Sequence, residues 1–169
     1  MRIIISAFLL VSLPLGTGCG GGNTPEELKN LVPVTITVTD GSQPVEGVAV
    51  SLNSKVEVKG FFVCTGVTDS RGVANIESTR SSQTRKGAPA GTYSVVLVKS
   101  VEIPEDLQPM EEDQINPAAA AAKQTKRDAF LKQNKVIPDK LTQSTSSPVE
   151  LTVAEKSGAT VEIDISKYR

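Results

Sequence analysis

The chain has 169 residues, 18 basic against 19 acidic groups, and neither histidine nor tryptophan. Without histidine it lacks the usual general base near neutral pH, the commonest zinc ligand and every Cys–His or Ser–His nucleophile pair. Without tryptophan or a clustered basic face, it has little on which to stack sugar rings and no electrostatic reason to hold nucleic acid.

Arg2 precedes the apolar run Ile3–Leu13, then Leu15-Gly16-Thr17-Gly18-Cys19 and three glycines. The run is shorter than the roughly 20 residues of a membrane span, so removal before Cys19 is expected. This segment resembles bacterial lipoprotein signals, built from an aliphatic residue, two small ones and a cysteine, although Leu15 stands one place early and Gly16 lies three before Cys19. The resemblance implies a signal peptide over 1–18, acylation of Cys19, and attachment to a cell-envelope membrane through that lipid alone, facing the periplasm or exterior. An ordinary secretory signal leaving Cys19 as a free thiol is the alternative. Gly20-Gly21-Gly22-Asn23 suits a flexible tether, taken here as 19–32. The residue after Cys19 is glycine and not aspartate, so the inner-membrane retention signal of some Gram-negative bacteria is lacking. Removing 1–18 takes away one charge, Arg2, and moves the net charge from −1 to −2. What is left is one domain's length, enough to bury a core. With Cys19 acylated, Cys64 has no intrachain partner, and in the apolar run Phe61–Thr65 it reads as a small buried hydrophobe.

Thr24-Pro25-Glu26-Glu27-Leu28 fits a short capped helix that Pro33 ends. From Val34 the period becomes two: Val34, Ile36 and Val38 alternate with threonines, which predicts a half-buried strand. A turn over Asp40–Pro44 leads to a second strand through Val48, Val50 and Leu52. Val56 and Val58 suggest a third, exposed on one side, and Phe61–Thr68 a central fourth. Asp69-Ser70-Arg71-Gly72 is a tight turn into Val73–Glu77. Ser78–Lys86 is polar and locally basic and reads as a solvated loop rather than an anion site. Ala88–Gly91 turns into the strong strand Thr92–Val98. Val149–Val153 and Val161–Ile165 read as a closing hairpin, with Glu150, Glu162 and Asp164 on its wet face.

This pattern predicts an all-β fold: an antiparallel seven- or eight-stranded β-sandwich of prealbumin or immunoglobulin type with one inserted α-helix. The insert spans 101–148 of a domain over 33–169. Within it, Asn116-Pro117 starts a helix through Lys132 whose only large apolar residues are Phe130 and Leu131. The acidic stretch from Glu105 to Asp113 lacks the alternating ligand spacing of a calcium loop and reads as solvated.

Three segments, Pro44–Leu52, Thr68–Ala74 and Pro89–Val95, resemble in order and spacing the landmarks of carboxypeptidase regulatory-like domains, small transthyretin-like sandwiches. The match covers about 33–100 and, less fully, the last two strands. Gly47 and Gly72 sit where turns or close packing exclude a side chain, and Gly91 lets the chain reverse before Tyr93 enters the core. The run from Ile137 to Leu141 is similar to an Ile-Pro-x-Lys-Tyr stretch in some lipoproteins with this domain, with Leu141 in the tyrosine's place.

None of these landmarks is catalytic, and the sequence calls for no cofactor or metal. It supports a non-enzymatic, lipid-anchored structural or interaction module of the envelope. Two other readings stay open. One is an envelope carbohydrate- or peptide-binding protein working through a sheet edge or the insert, its protein or glycan partner unknown. The other is a transthyretin-like hydrolase, suggested by fold kinship and Tyr168-Arg169, although that enzyme's signature continues past Tyr-Arg and its site uses histidines.

Overall fold

The computed structural model describes residues 28–56, 62–110 and 115–169. In chain order these form β1 (Leu31–Val32), β2 (Val34–Asp40), β3 (Gln43–Pro44), β4 (Ala49–Ser54), β5 (Val63–Val67), β6 (Val73–Asn75), β7 (Glu77–Arg80), β8 (Gln83–Lys86), β9 (Ala88–Pro89), β10 (Gly91–Val98), α1 (Pro117–Gln133), β11 (Glu150–Val153) and β12 (Ala159–Asp164). The fold is a mainly antiparallel β-sandwich, with eight strands of four residues or more and α1 inserted before the last two strands.

One sheet has the order β11-β10-β4-β5-β7-β8, antiparallel throughout. The other is built on β2, with β12 on one side and β3 and β6 on the other, and β1 pairs with β9 in a small separate ladder. Period two does the sorting: Val34, Ile36 and Val38 of β2 face Val50 of β4 and Val95 and Leu97 of β10 across one continuous core. Each such side chain contributes about 1.5–3 kcal/mol by leaving water, and this apolar layer holds the two sheets face to face.

The chain changes sheet without a loop between β6 and β7. Thr35, Ile36 and Thr37 pair with β6, and two residues later β7 pairs with β5. Ile76 sits at the change, fully buried, donating its N–H to the Val34 carbonyl (3.0 Å) and accepting from Gly87 N–H (2.7 Å). The crossing passes so close over β5 that a Cβ on Gly66 would stand 2.7 Å from the Asn75 carbonyl oxygen.

Several sequence expectations need correction. The two closing strands do not form a hairpin: β11 joins β10 in the six-stranded sheet, while β12 crosses to the other sheet and lies parallel to β2. Alternation gives both strands an inward face in either arrangement, so it could not choose the partner. Ser78–Lys86 is not a loop but the hairpin β7–β8, closed by Ser81–Ser82 with Ser81 at φ +54°. Its polar composition reflects an edge position, wet on one face. A third strand near Val56 is not seen at Lys55–Val56, where the chain bends and Val56 is exposed; Val58 and Phe61 lie outside the described residues, as do residues 24–27 of the expected first helix. Finally, the insert is not uniformly peripheral. From Val136 onward it docks, with Leu141 fully buried, Ser94 Oγ donating to the Ser144 carbonyl (2.9 Å) and Ser147 Oγ to the Val95 carbonyl.

Helix α1 begins as expected, with Ala119 N–H donating to Asn116 Oδ1 (3.2 Å) and Pro117 in the first turn, but it buries no residue. At the C-terminus, Asp164 Oδ1 accepts from Gly41 N–H (2.8 Å) and from the N–H and Oγ of Ser166, while Arg169 pairs with Asp40. These bonds, the Ser166 hydroxyl foremost, hold the Asp164 carboxyl below the usual range. Asp164 is thus a clamp on the β2–β3 turn and not a spectator on a wet face.

The three glycines singled out in the sequence separate by environment. Gly72 lies at φ +73° and a Cβ there would stand 2.5 Å from the Val38 carbonyl oxygen; Gly47 lies at φ +71° in open space; Gly91 is outside the left-handed region, with only ordinary contact to the Tyr93 ring at 3.6 Å. Neither a left-handed backbone nor a close approach therefore requires a glycine at position 91. In denaturant titrations, Gly72→Ala is expected to cost about 2 kcal/mol or more, Gly47→Ala about 1 kcal/mol, and Gly91→Ala no more than about 0.5 kcal/mol. Equal losses at all three positions would count against these turn geometries. Limited proteolysis should cut first within 115–135, and the two fragments should co-elute under native conditions, because β11 and β12 are each held by a neighbour from the N-terminal piece.

Candidate interaction surface

Cys64 is the thiol inside the described fold, and its surroundings fix its protonation. Its Sγ lies 3.0 Å from Ser78 Oγ, and Ser78 Oγ in turn donates to the Gly87 carbonyl (2.7 Å). A serine has one hydroxyl proton, already given to Gly87, so the thiol must be the donor to Ser78. Burial pushes the Cys64 pKa up. This is the opposite of the lowered pKa and partial exposure that a reactive cysteine needs. Ser78, inside the segment expected to be a solvated loop, is completely buried by these bonds.

Tyr93 is likewise buried, with its hydroxyl donating to the Pro89 carbonyl (2.8 Å). Burial raises its pKa well above the ordinary phenol value, and a charge on Cys64 would raise it further. Thr68 is buried too, donating to the Val45 carbonyl (2.7 Å) while its Oγ1 accepts from Val48 N–H (2.8 Å). These interior polar groups are occupied by hydrogen bonds within the fold.

The carboxylates do not converge. Glu150 pairs with Lys55, Glu162 is exposed on the other sheet, and Asp69 closes its own turn by accepting from Arg71 N–H (2.9 Å) and Val73 N–H (3.0 Å). The bond from Val73 leads the causes that hold the Asp69 carboxyl below its ordinary range. Among the described residues no three of Cys, Asp and Glu gather closely enough to hold a metal ion. Glu105 and Asp106 lie in a short 3-10 turn, while Glu111, Glu112, Asp113 and Cys19 lie outside the described residues.

Two exposed features remain. The outer face of the six-stranded sheet carries no charge on its three middle strands: the pairs Ala49–Val67, Ser51–Thr65 and Ala49–Val98 present small and apolar side chains, with Val63, Val67 and Val98 all more than 40% exposed. Charge returns farther out, at the cross-strand pair Glu77–Lys86 on one side and at Glu150, paired with Lys55, on the other. The second feature is a cleft of about 540 Å³ between the end of β10, the last turn of α1 and the docked segment after it. Its floor and walls are Val98, Val101, Leu131, Val136 and Ile137, and Lys99, Lys132, Lys135 and Asp139 also line it. The cleft exists because α1 buries none of its residues: the helix stands off the sheet instead of covering it. The sequence showed the thin apolar stripe of this helix but not the cleft, which needs the docking of Ile137 and Leu141 to form.

No helix among the described residues is long and apolar enough to cross a membrane. No family model and no curated protein matches the chain. Among solved structures it is similar to the crystal structure of the major pilin subunit of Bacillus cereus, at 16% identity and a TM-score of 0.39. The likeness covers 80% of this chain but 30% of that one.

With Cys19 replaced by serine to leave one thiol, iodoacetamide should modify Cys64 only as the chain unfolds, so rapid reaction of the native protein would contradict its placement. Ser78→Ala strips the thiol of its acceptor and the Gly87 carbonyl of its donor, an expected loss of about 1–3 kcal/mol. Because both Cys64 and Tyr93 have raised pKa values, the unfolded chain loses these protons first, from about pH 8.5 upward. It then binds fewer protons than the native state, so stability falls as pH rises through that range. Denaturation midpoints at pH 7, 9 and 10 should show that decline, and a smaller one in Cys64→Ala.

Proposed function

We propose that this chain is a non-enzymatic protein of the cell envelope, tethered by lipid at Cys19, whose β-sandwich serves as a structural or interaction module. The observation that carries the reading is the division of labour among its side chains. Cys64, Ser78, Thr68 and Tyr93, the groups with chemistry in the interior, are each committed to a hydrogen bond within the fold, while the surface offers an uncharged valine-bearing sheet face. A surface of that kind suits contact with another macromolecule better than a reaction.

The address rests on residues 1–22: a basic start, an apolar run too short to span a bilayer, small residues before Cys19 and a glycine tether after it. The likeness of Pro44–Leu52, Thr68–Ala74 and Pro89–Val95 to the landmarks of carboxypeptidase regulatory-like domains agrees with the module reading. Binding of an envelope glycan or peptide by the sheet edge is the second reading, favoured by the exposed polar edge strand β8.

Expression of the full chain in a bacterium with a radiolabelled fatty acid should label the mature product and send it to the membrane fraction. Cys19→Ser should abolish the label and leave an unprocessed precursor. A Cys19→Ser product that still carries acyl chains would refute the anchor.

A further inference from the structure

We infer that the cleft beside α1 is a binding site for a single-chain anionic amphiphile, one acyl chain ending in a carboxylate or phosphate. The inference goes beyond the anchored-module reading and holds whether or not Cys19 is acylated.

A helix on a globular protein ordinarily buries an apolar stripe. Helix α1 buries none, and its one large apolar pair near the C-terminus, Phe130 and Leu131, is only half-covered. Leu131 faces a floor made of Val98, Val101 and Ile137, so apolar surface lines both sides of an open space of about 540 Å³. That volume falls within the range of small-molecule sites, roughly 300–1,000 Å³. The gap is held open from below: Ile137 is buried and Leu141, in the turn that follows, is fully buried.

The charge around this space has one sign in excess. Lys99, Lys132 and Lys135 line it against the single carboxylate Asp139. Asp139 is paired with Lys135, and Lys99 Nζ donates to the Glu46 carbonyl (2.8 Å). Lys132 has no hydrogen-bond or ionic partner among the described residues. The C-terminal end of α1 is itself a weak negative pole. Asn134 shields part of it by donating both its N–H and its Nδ2 to the Phe130 carbonyl, so the lysines set the local field. An apolar slot bordered by an unpaired ammonium matches a ligand with an apolar tail and a negative head. A neutral apolar ligand would leave Lys132 unused, and a cationic one would meet three like charges.

The test uses the full chain carrying Cys19→Ser, so that no acyl chain of its own competes, and isothermal titration with dodecanoate, dodecyl phosphate and dodecyltrimethylammonium below their micellar concentrations. The two anions should bind one per chain, at least tenfold more tightly than the cation. Shortening the tail should weaken binding about fourfold per methylene, the factor that corresponds to burial of each CH₂. Leu131→Asp should abolish binding and Lys132→Glu should weaken the anions at least fivefold while leaving the cation no weaker; unchanged thermal midpoints would show that both variants fold, as expected for half-exposed and exposed positions. Equal affinity for anion and cation, no dependence on tail length, or no binding at all would overturn the site. Flotation with phosphatidylglycerol vesicles that Leu131→Asp abolishes, without binding of the free amphiphiles, would overturn the choice of a single-chain ligand. A dimer dispersed by Leu131→Asp in sedimentation would show that a second copy fills the cleft and would also overturn it.

Discussion

One crossing governs the architecture. Within five residues, Val73–Glu77, the backbone leaves the sheet built on β2 and joins the six-stranded sheet, and Ile76 is hydrogen-bonded toward β2 through its N–H and toward Gly87 through its carbonyl. No loop spaces the sheets apart at this edge, so their separation is set by the thickness of the Ile76 side chain and the backbone beneath it. Gly66 makes the passage feasible, because any side chain on it would collide with the Asn75 carbonyl. With that edge closed, the apolar faces of β2 and β10 have one way to meet, and the core follows.

The opposite edge is closed by different means. The last strand, β12, leaves β11 and aligns parallel with β2 over six residues, Ala159–Val34 to Asp164–Thr39. Parallel pairing needs the chain to return from the same end, and the route is the whole intervening molecule. The end is then pinned at Asp164, whose carboxylate reaches the Gly41 amide in the turn after β2, and by the burial of Ile165 directly behind it. Among the described residues the first and last long strands, β2 and β12, are neighbours, so their pairing closes this edge and the insert is free of that task.

How much of this could be read from the residues depended on whether the information was local. Strand positions at Val34–Asp40, Ala49–Ser54 and Gly91–Val98 were legible because alternating valines and leucines mark an inward face regardless of partner. The turn at Asp69–Gly72 was legible because its chemistry is contained in four residues, Asp69 accepting from the amides ahead of it. Partner choice was not. Val149–Val153 and Val161–Ile165 show the same pattern whether they pair with each other or with β10 and β2. The buried Ser78 was missed because its partners, Cys64 and the Gly87 carbonyl, are distant in sequence, and a polar run carries no mark of which serine is covered. Gly66 carried a faint signal, a glycine inside an apolar strand, which often marks close backbone approach. The surface features were least legible, since a cleft is defined by what two distant segments fail to fill.

That failure has a cause in the composition of the insert. Helix α1 draws its stability from local sources: five consecutive alanines, the Asn116 cap, Pro117 in the first turn, and the Gln124–Asp128 hydrogen bond one turn apart. Such a helix forms without needing an apolar stripe, although at 17 residues it is marginal alone and relies on its connections. The segment after it is the reverse, with little regular structure but with Ile137, Leu141 and Val149 buried and two hydrogen bonds to β10, from the Ser147 hydroxyl to the Val95 carbonyl and from the Ser94 hydroxyl to the Ser144 carbonyl. The insert therefore consists of an anchored strap and a wall that stands on it. Substitutions in the strap would propagate into the core, whereas those on the inner side of α1 alter only the space the helix leaves open. A fold arranged this way can change what that space accepts without disturbing the sandwich that supports it.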